Sequence, residues 1–359
     1  MKKIKGQPLN IEMEIDEYND VHIFDKSRLC THCHYYGHTT EECKYQKNEL
    51  PETAFEAYMS AKYPISREPT REQLSVFNRY NIRDNAYSRE NDDLKTAERE
   101  YLIGYTRATL NFLTNKRRQM QCFVLDGTQL GMTTALLDTF PDNCSVHITN
   151  PCATVMVDVP GCPYNKYAFG GKAVNLYGCM AHEFFNYLAE GVFFKTISPK
   201  DTPKYSLVWF DTCGKINQDN LRVVELLFRF RCFREDGPSI FAMTFSSRQN
   251  GKEYYSPNED TMAYNNAMRM DKHLREFVEL FEYTVFRPKS AFLPVTKKAM
   301  YTLVYCVYPK SWNPDATTRI LLEKVLNNAV ISNRYARNPQ IFTYEFWQPP
   351  SVKKRKRLT

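Results

Sequence analysis

From residue 121 onward the chain alternates short apolar runs with longer amphipathic ones. Residues 121–125, 145–149, 205–210 and 239–245 are short runs rich in β-branched and aromatic residues, the composition of strands buried on both faces. Three of them end at turn residues: Asp126-Gly127, Asn150-Pro151 and Asp211. Between the runs, residues 132–140, 174–188, 221–233 and 271–281 read as helices. In the second of these, Leu176, Met180, Phe184 and Leu188 are spaced for one buried face. Gly237-Pro238 stops the third. Residues 283–287 and 300–308 form two further strands, joined by a loop with two prolines and no helical stripe. A parallel connection needs about a dozen residues or more, usually a helix, so this pair is predicted to be antiparallel. The pattern predicts an α/β fold: a mostly parallel sheet covered on both faces and closed by a terminal antiparallel hairpin.

Ahead of the sheet, residues 53–62, 71–80 and 92–115 read as helices, and in the last Leu94, Ala97, Tyr101, Ala108 and Phe112 approximate a helical stripe. The last two are dense in Arg and Lys and end in Lys116, Arg117 and Arg118. No internal repeat is visible. The predicted organisation is an acidic, loosely ordered N-terminal segment (1–28), a Cys/His-rich segment (29–47), a basic helical connector (48–116), the sheet domain (117–310), a C-terminal helix over 317–330 with a closing segment (311–348), and a basic tail (349–359).

With 43% hydrophobic and 25% charged residues, the chain has the composition of a folded protein, which excludes global disorder. Thirteen Gly and 19 Pro exclude collagen-like and low-complexity readings. Its 359 residues correspond to roughly two to three domains. No run approaches the roughly 20 apolar residues needed to span a bilayer, and the basic start of the chain has no apolar core behind it, so neither a membrane anchor nor a secretory signal is expected. The cysteine count is odd, at 11, which with no signal peptide points to a reduced, intracellular compartment and to some cysteines as metal ligands. The net charge is +7, and five basic residues run together from Lys353 to Arg357. This run reads as a nuclear import signal or a phosphate-binding tail, against the alternative of a solvated terminus. A nuclear or cytoplasmic location is expected, the tail favouring the nucleus.

The clearest motif is CTHCHYYGHTTEEC, in which Cys30, Cys33, His38 and Cys43 have the spacing C-x2-C-x4-H-x4-C. Three thiolates and an imidazole make a closed tetrahedral set suited to structural zinc. So short a segment folds only if metal binding, worth about 10–16 kcal/mol in finger peptides, drives it. Gly37 permits the turn before His38, and His32 and His34 fall outside the spacing. The motif resembles the CCHC zinc knuckle of retroviral nucleocapsid and RNA-binding proteins. That resemblance implies single-stranded RNA or DNA as partner, with bases stacked on Tyr35 and Tyr36 and phosphates met by Lys44 and its basic neighbours Lys26, Arg28 and Lys47. Protein binding is the competing role.

A second motif joins the first strand of the sheet to a helix through Asp126-Gly127 and Gly131. Glycines in such a turn allow close backbone approach, and the helix N-terminus carries partial positive charge. No lysine follows Gly131, so a phosphate-binding P-loop is excluded. With the order of strands and helices, the motif resembles the class I S-adenosylmethionine-dependent methyltransferase fold, a Rossmann-like domain, over residues 117–310. The resemblance implies S-adenosylmethionine held by Asp126, Gly127, Gly131 and Asn150, and Asp211 facing the acceptor. The segment 286–290 resembles the final hairpin of RNA ribose methyltransferases. The chain also departs from these families. The G-x-G core of the first motif is absent, and Asn150 stands where a carboxylate usually grips the ribose. Asp211 lacks a following Pro-Pro-Tyr or Pro-Pro-Trp. The Lys-Asp-Lys-Glu set of ribose methyltransferases is incomplete, with Met243 in place of the second lysine and no glutamate in the last strand. Pro151-Cys152 follows the second strand, whereas cytosine-5 methyltransferases carry that pair after the fourth.

Asp211 stands at the carboxyl end of a strand, where parallel sheets bind ligands, so it is read as substrate-holding or as a base, against a turn-capping role. Cys213 and His182 read as packing residues. Two functions remain open. One is a zinc-knuckle nucleic-acid methyltransferase. The other is a non-catalytic single-strand-binding protein that keeps the sheet as a scaffold.

Overall fold

A computed structural model describes residues 11–15, 21–25, 53–65, 71, 95–113, 119–127, 130–141, 144–153, 157, 164, 173–212, 216–246, 259–288, 292–294 and 300–327. The zinc-knuckle residues Cys30, Cys33, His38 and Cys43, the candidate base-contacting residues Tyr35, Tyr36 and Lys44, and the basic run from Lys353 to Arg357 lie outside the described residues. So does nearly all of the helix expected over 71–80.

The N-terminal segment, expected to lack regular structure, holds two antiparallel strands, β1 (Ile11–Ile15) and β2 (Val21–Asp25). Helix α1 (Ala54–Lys62) follows, closed by a capping box in which Thr53 and Glu56 satisfy each other's backbone amides. Helix α2 runs over residues 95–110. The sheet and its helices come next: β3 (Met120–Val124), α3 (Gly131–Thr139), β4 (Cys144–Thr149), β5 (Ala173–Tyr177), α4 (Ala181–Phe193), β6 (Tyr205–Asp211), α5 (Gln218–Arg229), β7 (Ser239–Ser246), α6 (Glu259–Leu280), β8 (Tyr283–Phe286), β9 (Phe292–Pro294) and β10 (Met300–Pro309). Helix α7 (Ala316–Asn327) ends the described chain.

The sheet has eight strands in the order β5-β4-β3-β6-β7-β10-β8, with β9 also on β10. Neighbours from β5 to β7 are parallel, and β10 alone runs against its neighbours β7, β8 and β9. This is a Rossmann-like, mostly parallel sheet with a terminal antiparallel hairpin, as the strand pattern predicted, and its last strand is inserted between two earlier ones.

Two elements differ from what the sequence pattern predicts. Residues 174–188, expected as one helix, split into strand β5 and helix α4 at Gly178. Val174 and Leu176 belong to the strand's alternation, while Phe184 and Leu188 face the core from the helix. Helix α5 stops at Arg229 rather than at Phe233, because Arg231 takes a left-handed conformation (φ 52°) and turns the chain so that Phe233 bridges to Tyr205.

Alternate residues of each strand face opposite cores. Phe123, Val208, Phe210, Phe241 and Tyr305 pack with Phe55 and Met59 of α1 and with Phe184, Leu188 and Leu227 of α4 and α5. Cys122, Val124, Leu207, Trp209 and Cys306 pack with Tyr101, Leu102 and Tyr105 of α2 and with Leu136 and Leu326 of α3 and α7. The helices of the basic connector therefore cover the sheet, one on each face. A buried polar knot pins α1: His147 Nε2 lies 3.1 Å from Glu56 Oε1, Asn175 Nδ2 donates to the same oxygen at 2.8 Å, and His147 Nδ1 meets the Tyr205 hydroxyl at 3.0 Å. No helix among the described residues is long and apolar enough to cross a membrane.

Candidate functional site

Strand β3 pairs with β4 on one side and β6 on the other, so successive connections diverge there. The carboxyl ends of β3, β4 and β6 at such a switch point are where open α/β sheets form a ligand crevice. Four of the five residues expected for the cofactor and the acceptor stand on these three strand ends: Asp126, Gly127, Asn150 and Asp211. The fifth, Gly131, opens α3.

Asp126 is turned inward. Its Oδ2 accepts from the Thr133 amide at 2.7 Å and the Thr133 hydroxyl at 2.8 Å, and its Oδ1 from the Met132 amide at 3.3 Å. It thereby satisfies the first turn of α3, whose own N-cap, Leu130 at φ 48°, offers no side-chain bond. Burial raises the carboxyl pKa, while the Thr133 bonds and the Arg99 charge act in the opposite direction. Asp126 thus shapes the turn, and exposed Gly127 presents its backbone to the crevice, with the Leu130 amide bonded to the Gly127 carbonyl at 3.0 Å.

Asn150 bridges two strand ends. Its Nδ2 donates to the Asp126 carbonyl at 3.4 Å and its Oδ1 accepts from the Cys152 amide at 2.9 Å. One amide hydrogen and one lone pair are not used by these two bonds. A Cβ at Gly131 would stand 2.5 Å from Arg99 Cζ, so the guanidinium lies against the start of α3 and would have to shift for any larger residue. Arg99 Nε is buried and has no hydrogen-bond partner.

Asp211 ends β6, and its Oδ2 lies 2.5 Å from Lys95 Nζ. The lysine side chain is 26% exposed and the aspartate 10%, so the pair reaches solvent from a mostly enclosed position. Beneath it lies Glu98, fully buried. No sequence motif marks Lys95, Glu98 or Arg99. All three stand on α2 at spacings of three and four, which puts them on one helical face. The available signal was a glutamate set between Ala97 and Tyr101, on a stripe otherwise read as core. Met243, which stands in place of the second lysine of the Lys-Asp-Lys-Glu set, is buried in the apolar core. Cys213 lies outside the described residues.

Among the described residues, no group of three or more His, Cys, Asp or Glu is placed to hold a metal ion. The six cysteines found there are buried, and burial pushes the thiols of Cys152 and Cys232 up to about 11 and about 12.

No family model matches the chain, and no curated protein matches it. Solved structures do. The plantazolicin methyltransferase BpumL, in complex with a triazolic desmethylPZN analog and SAH, is 10% identical over 70% of this chain and 96% of its own, with a TM-score of 0.38. An O-methyltransferase candidate from Nostoc punctiforme is 11% identical over 53% of this chain, with a TM-score of 0.31, and a transferase candidate from Pyrococcus horikoshii is 6% identical over 57%, with a TM-score of 0.31. This chain spans 52% of the Nostoc protein and 64% of the Pyrococcus protein, less than two thirds of either.

Proposed function

We propose that this chain is an S-adenosylmethionine-dependent methyltransferase acting on RNA or DNA, with the Lys95–Asp211 pair facing the acceptor. The observation that carries the reading is that ion pair, 2.5 Å long, at the carboxyl end of β6 beside the switch-point crevice. A lysine and an aspartate are two members of the Lys-Asp-Lys-Glu set of the ribose methyltransferases that the hairpin sequence resembles, which favours a hydroxyl acceptor.

The crevice fits the cofactor on three counts. The Arg99 guanidinium, with its unpartnered Nε, suits a carboxylate. Gly127 leaves the backbone open to close approach. Asn150 retains hydrogen-bonding capacity for a ribose. The chemistry supplied by bound S-adenosylmethionine is a methyl group on a sulfonium: the carbon–sulfur bond breaks, sulfur keeps the electron pair, and the carbon bonds to the acceptor. Asp211 takes the acceptor's proton, and the Lys95 ammonium holds that carboxylate in line. In the same reading, a zinc knuckle of Cys30, Cys33, His38 and Cys43 delivers a single strand over Tyr35, Tyr36 and Lys44, and the run from Lys353 to Arg357 directs nuclear import.

One observation favours the scaffold reading: the Arg99 guanidinium itself occupies the space over Gly131. Calorimetry with S-adenosylmethionine and S-adenosylhomocysteine decides between the two. Micromolar binding is expected, together with transfer of labelled methyl groups to RNA or DNA. Lys95→Met and Asp211→Asn are each expected to lower that transfer by about 100-fold or more with binding retained. Absence of binding, with affinity for single strands intact, overturns the enzyme reading in favour of the scaffold. Bound zinc, measured by atomic absorption, is expected to be lost in Cys33→Ser.

A further inference from the structure

Glu98 follows Lys95 by three residues on α2, so the two side chains leave the same helical face. The carboxylate is 0% exposed. Its Oε1 accepts from the Thr302 hydroxyl and lies 3.1 Å from Thr244 Oγ1. The two threonines are partners across β7 and β10, with hydroxyls 2.7 Å apart, and Trp209 Nε1 donates to Thr244 Oγ1 at 3.0 Å. The second oxygen, Oε2, is buried with no hydrogen-bond partner.

The charges around this carboxylate come from two elements. Lys95 lies on its own helix, and Asp211 reaches it from β6. The neighbouring Arg99 is directed to Gly131 and Asp126. Among the described residues, strands β7 and β10 present to it the hydroxyls of Thr244 and Thr302. Burial, and then the Asp211 charge, push the Glu98 pKa up to about 7 against the pull of Lys95 and the two threonines.

A carboxyl placed only to fill the core would have both oxygens satisfied or would be replaced by an apolar side chain. Glu98 has one oxygen clamped by two strands and the other left open beside an ion pair. Resting on the acceptor-site reading above, we propose that Glu98 is a positioning residue which, by losing one proton, takes a share of the Lys95 ammonium through Oε2 and so loosens, without breaking, the pair that keeps the Asp211 carboxylate in line to take the acceptor's proton. Protonated Glu98 draws nothing from Lys95, so the ammonium holds Asp211 more tightly and the site is held back at low pH. Ionised Glu98 shares Lys95, so transfer rises as pH increases through the Glu98 titration.

Two measurements test this. The first needs no substrate: carbon NMR of protein labelled at the glutamate side-chain carboxyls, with the Glu98 signal assigned by its loss in Glu98→Gln. A titration midpoint near neutrality is expected. It should move down in Asp211→Asn, which removes a repelling charge, and up in Lys95→Met, which removes an attracting one. A midpoint in the ordinary carboxylate range, or one that neither variant moves, overturns the proposal. The second is the pH profile of methyl transfer. Its rising limb should be absent in Glu98→Gln and displaced to higher pH in Thr302→Val, which removes a donor to the ionised form. A limb unchanged in Glu98→Gln overturns the proposal as well. A responsive Glu98 titration in a protein that transfers no methyl group supports the charge linkage and overturns the transferase reading instead, so the two failures are distinguishable.

Discussion

Glu56 is the third residue of α1, and its two oxygens do different work. Oε2 accepts from the Thr53 amide at 2.8 Å and closes the helix start, while Oε1 accepts from Asn175 and meets His147 beneath the sheet. Burial alone would raise its pKa, but the hydrogen bond and charge of His147, followed by the Thr53 bonds, lower it to about 2. The unfolded value lies near 4.3, so the folded state binds the proton more weakly than the unfolded state. The stabilisation is therefore fully present above the unfolded value and is lost as pH falls from about 4.5 towards 2. Glu56→Gln is expected to cost on the order of 3 kcal/mol at neutral pH and to flatten stability against pH over that acid range. Thermal melts from neutral pH downwards check this, and an unchanged acid limb in the variant sinks the assignment. At this scale the candidate site was partly legible. Asp126, Gly127, Asn150 and Asp211 stand on strand ends, and strand ends are visible as turn residues after apolar runs. Lys95 was not legible, because its partner lies 116 residues away and a lysine on a basic helix looks like any solvated charge.

Between elements, the contact of α1 with α4 turns on one glycine. Tyr58 stacks on Tyr187 with centroids 4.3 Å apart and planes 4° from parallel, and Lys62 lies over the Tyr187 ring at 5.3 Å. Gly191 leaves room for this stack, since a Cβ there would stand 2.8 Å from the Tyr58 ring. Gly191→Ala gains up to about 1 kcal/mol of helix propensity but overpacks the contact, which typically costs about 1–3 kcal/mol. A net loss on the order of 1 kcal/mol is expected, read as a lower urea midpoint with an unchanged slope. A higher midpoint means that the ring yields without cost. The elements themselves were largely legible, because buried strands and amphipathic helices differ in length and period. The exception is instructive. Strand β5 has five residues at the sheet edge, with Ala173 and Asn175 half-buried, and its Leu176 runs in phase with the helical spacing of Met180, Phe184 and Leu188. Short alternation and helical spacing cannot be told apart over so few residues.

Across the whole molecule, the helices ahead of β3 belong to the cores of the sheet. Phe55, Met59 and Tyr63 of the first helical segment, and Tyr101, Leu102 and Tyr105 of the second, are buried against opposite faces. Burial of each large apolar side chain is worth about 1.5–3 kcal/mol, so losing six exceeds a typical domain's entire stability of about 5–15 kcal/mol at the upper end and approaches it at the lower. A fragment of residues 117–327 is expected to be insoluble or to bind a hydrophobic dye, whereas residues 53–327 fold cooperatively. A cooperative melt from the shorter fragment would show that the helices are dispensable. The insertion of β10 between β7 and β8 has a consequence for the protein's birth. A nascent chain emerges from its N-terminus at roughly 5–20 residues per second, so β7 waits with an open edge while α6, β8 and β9 are made. Until β10 arrives, Thr302 is not there to seal Glu98, and the pocket that would do the chemistry does not yet exist. Completion of the sheet and completion of the proposed site are thus one event, which waits for β10, and a ribosome that stalls before it releases a chain without that site.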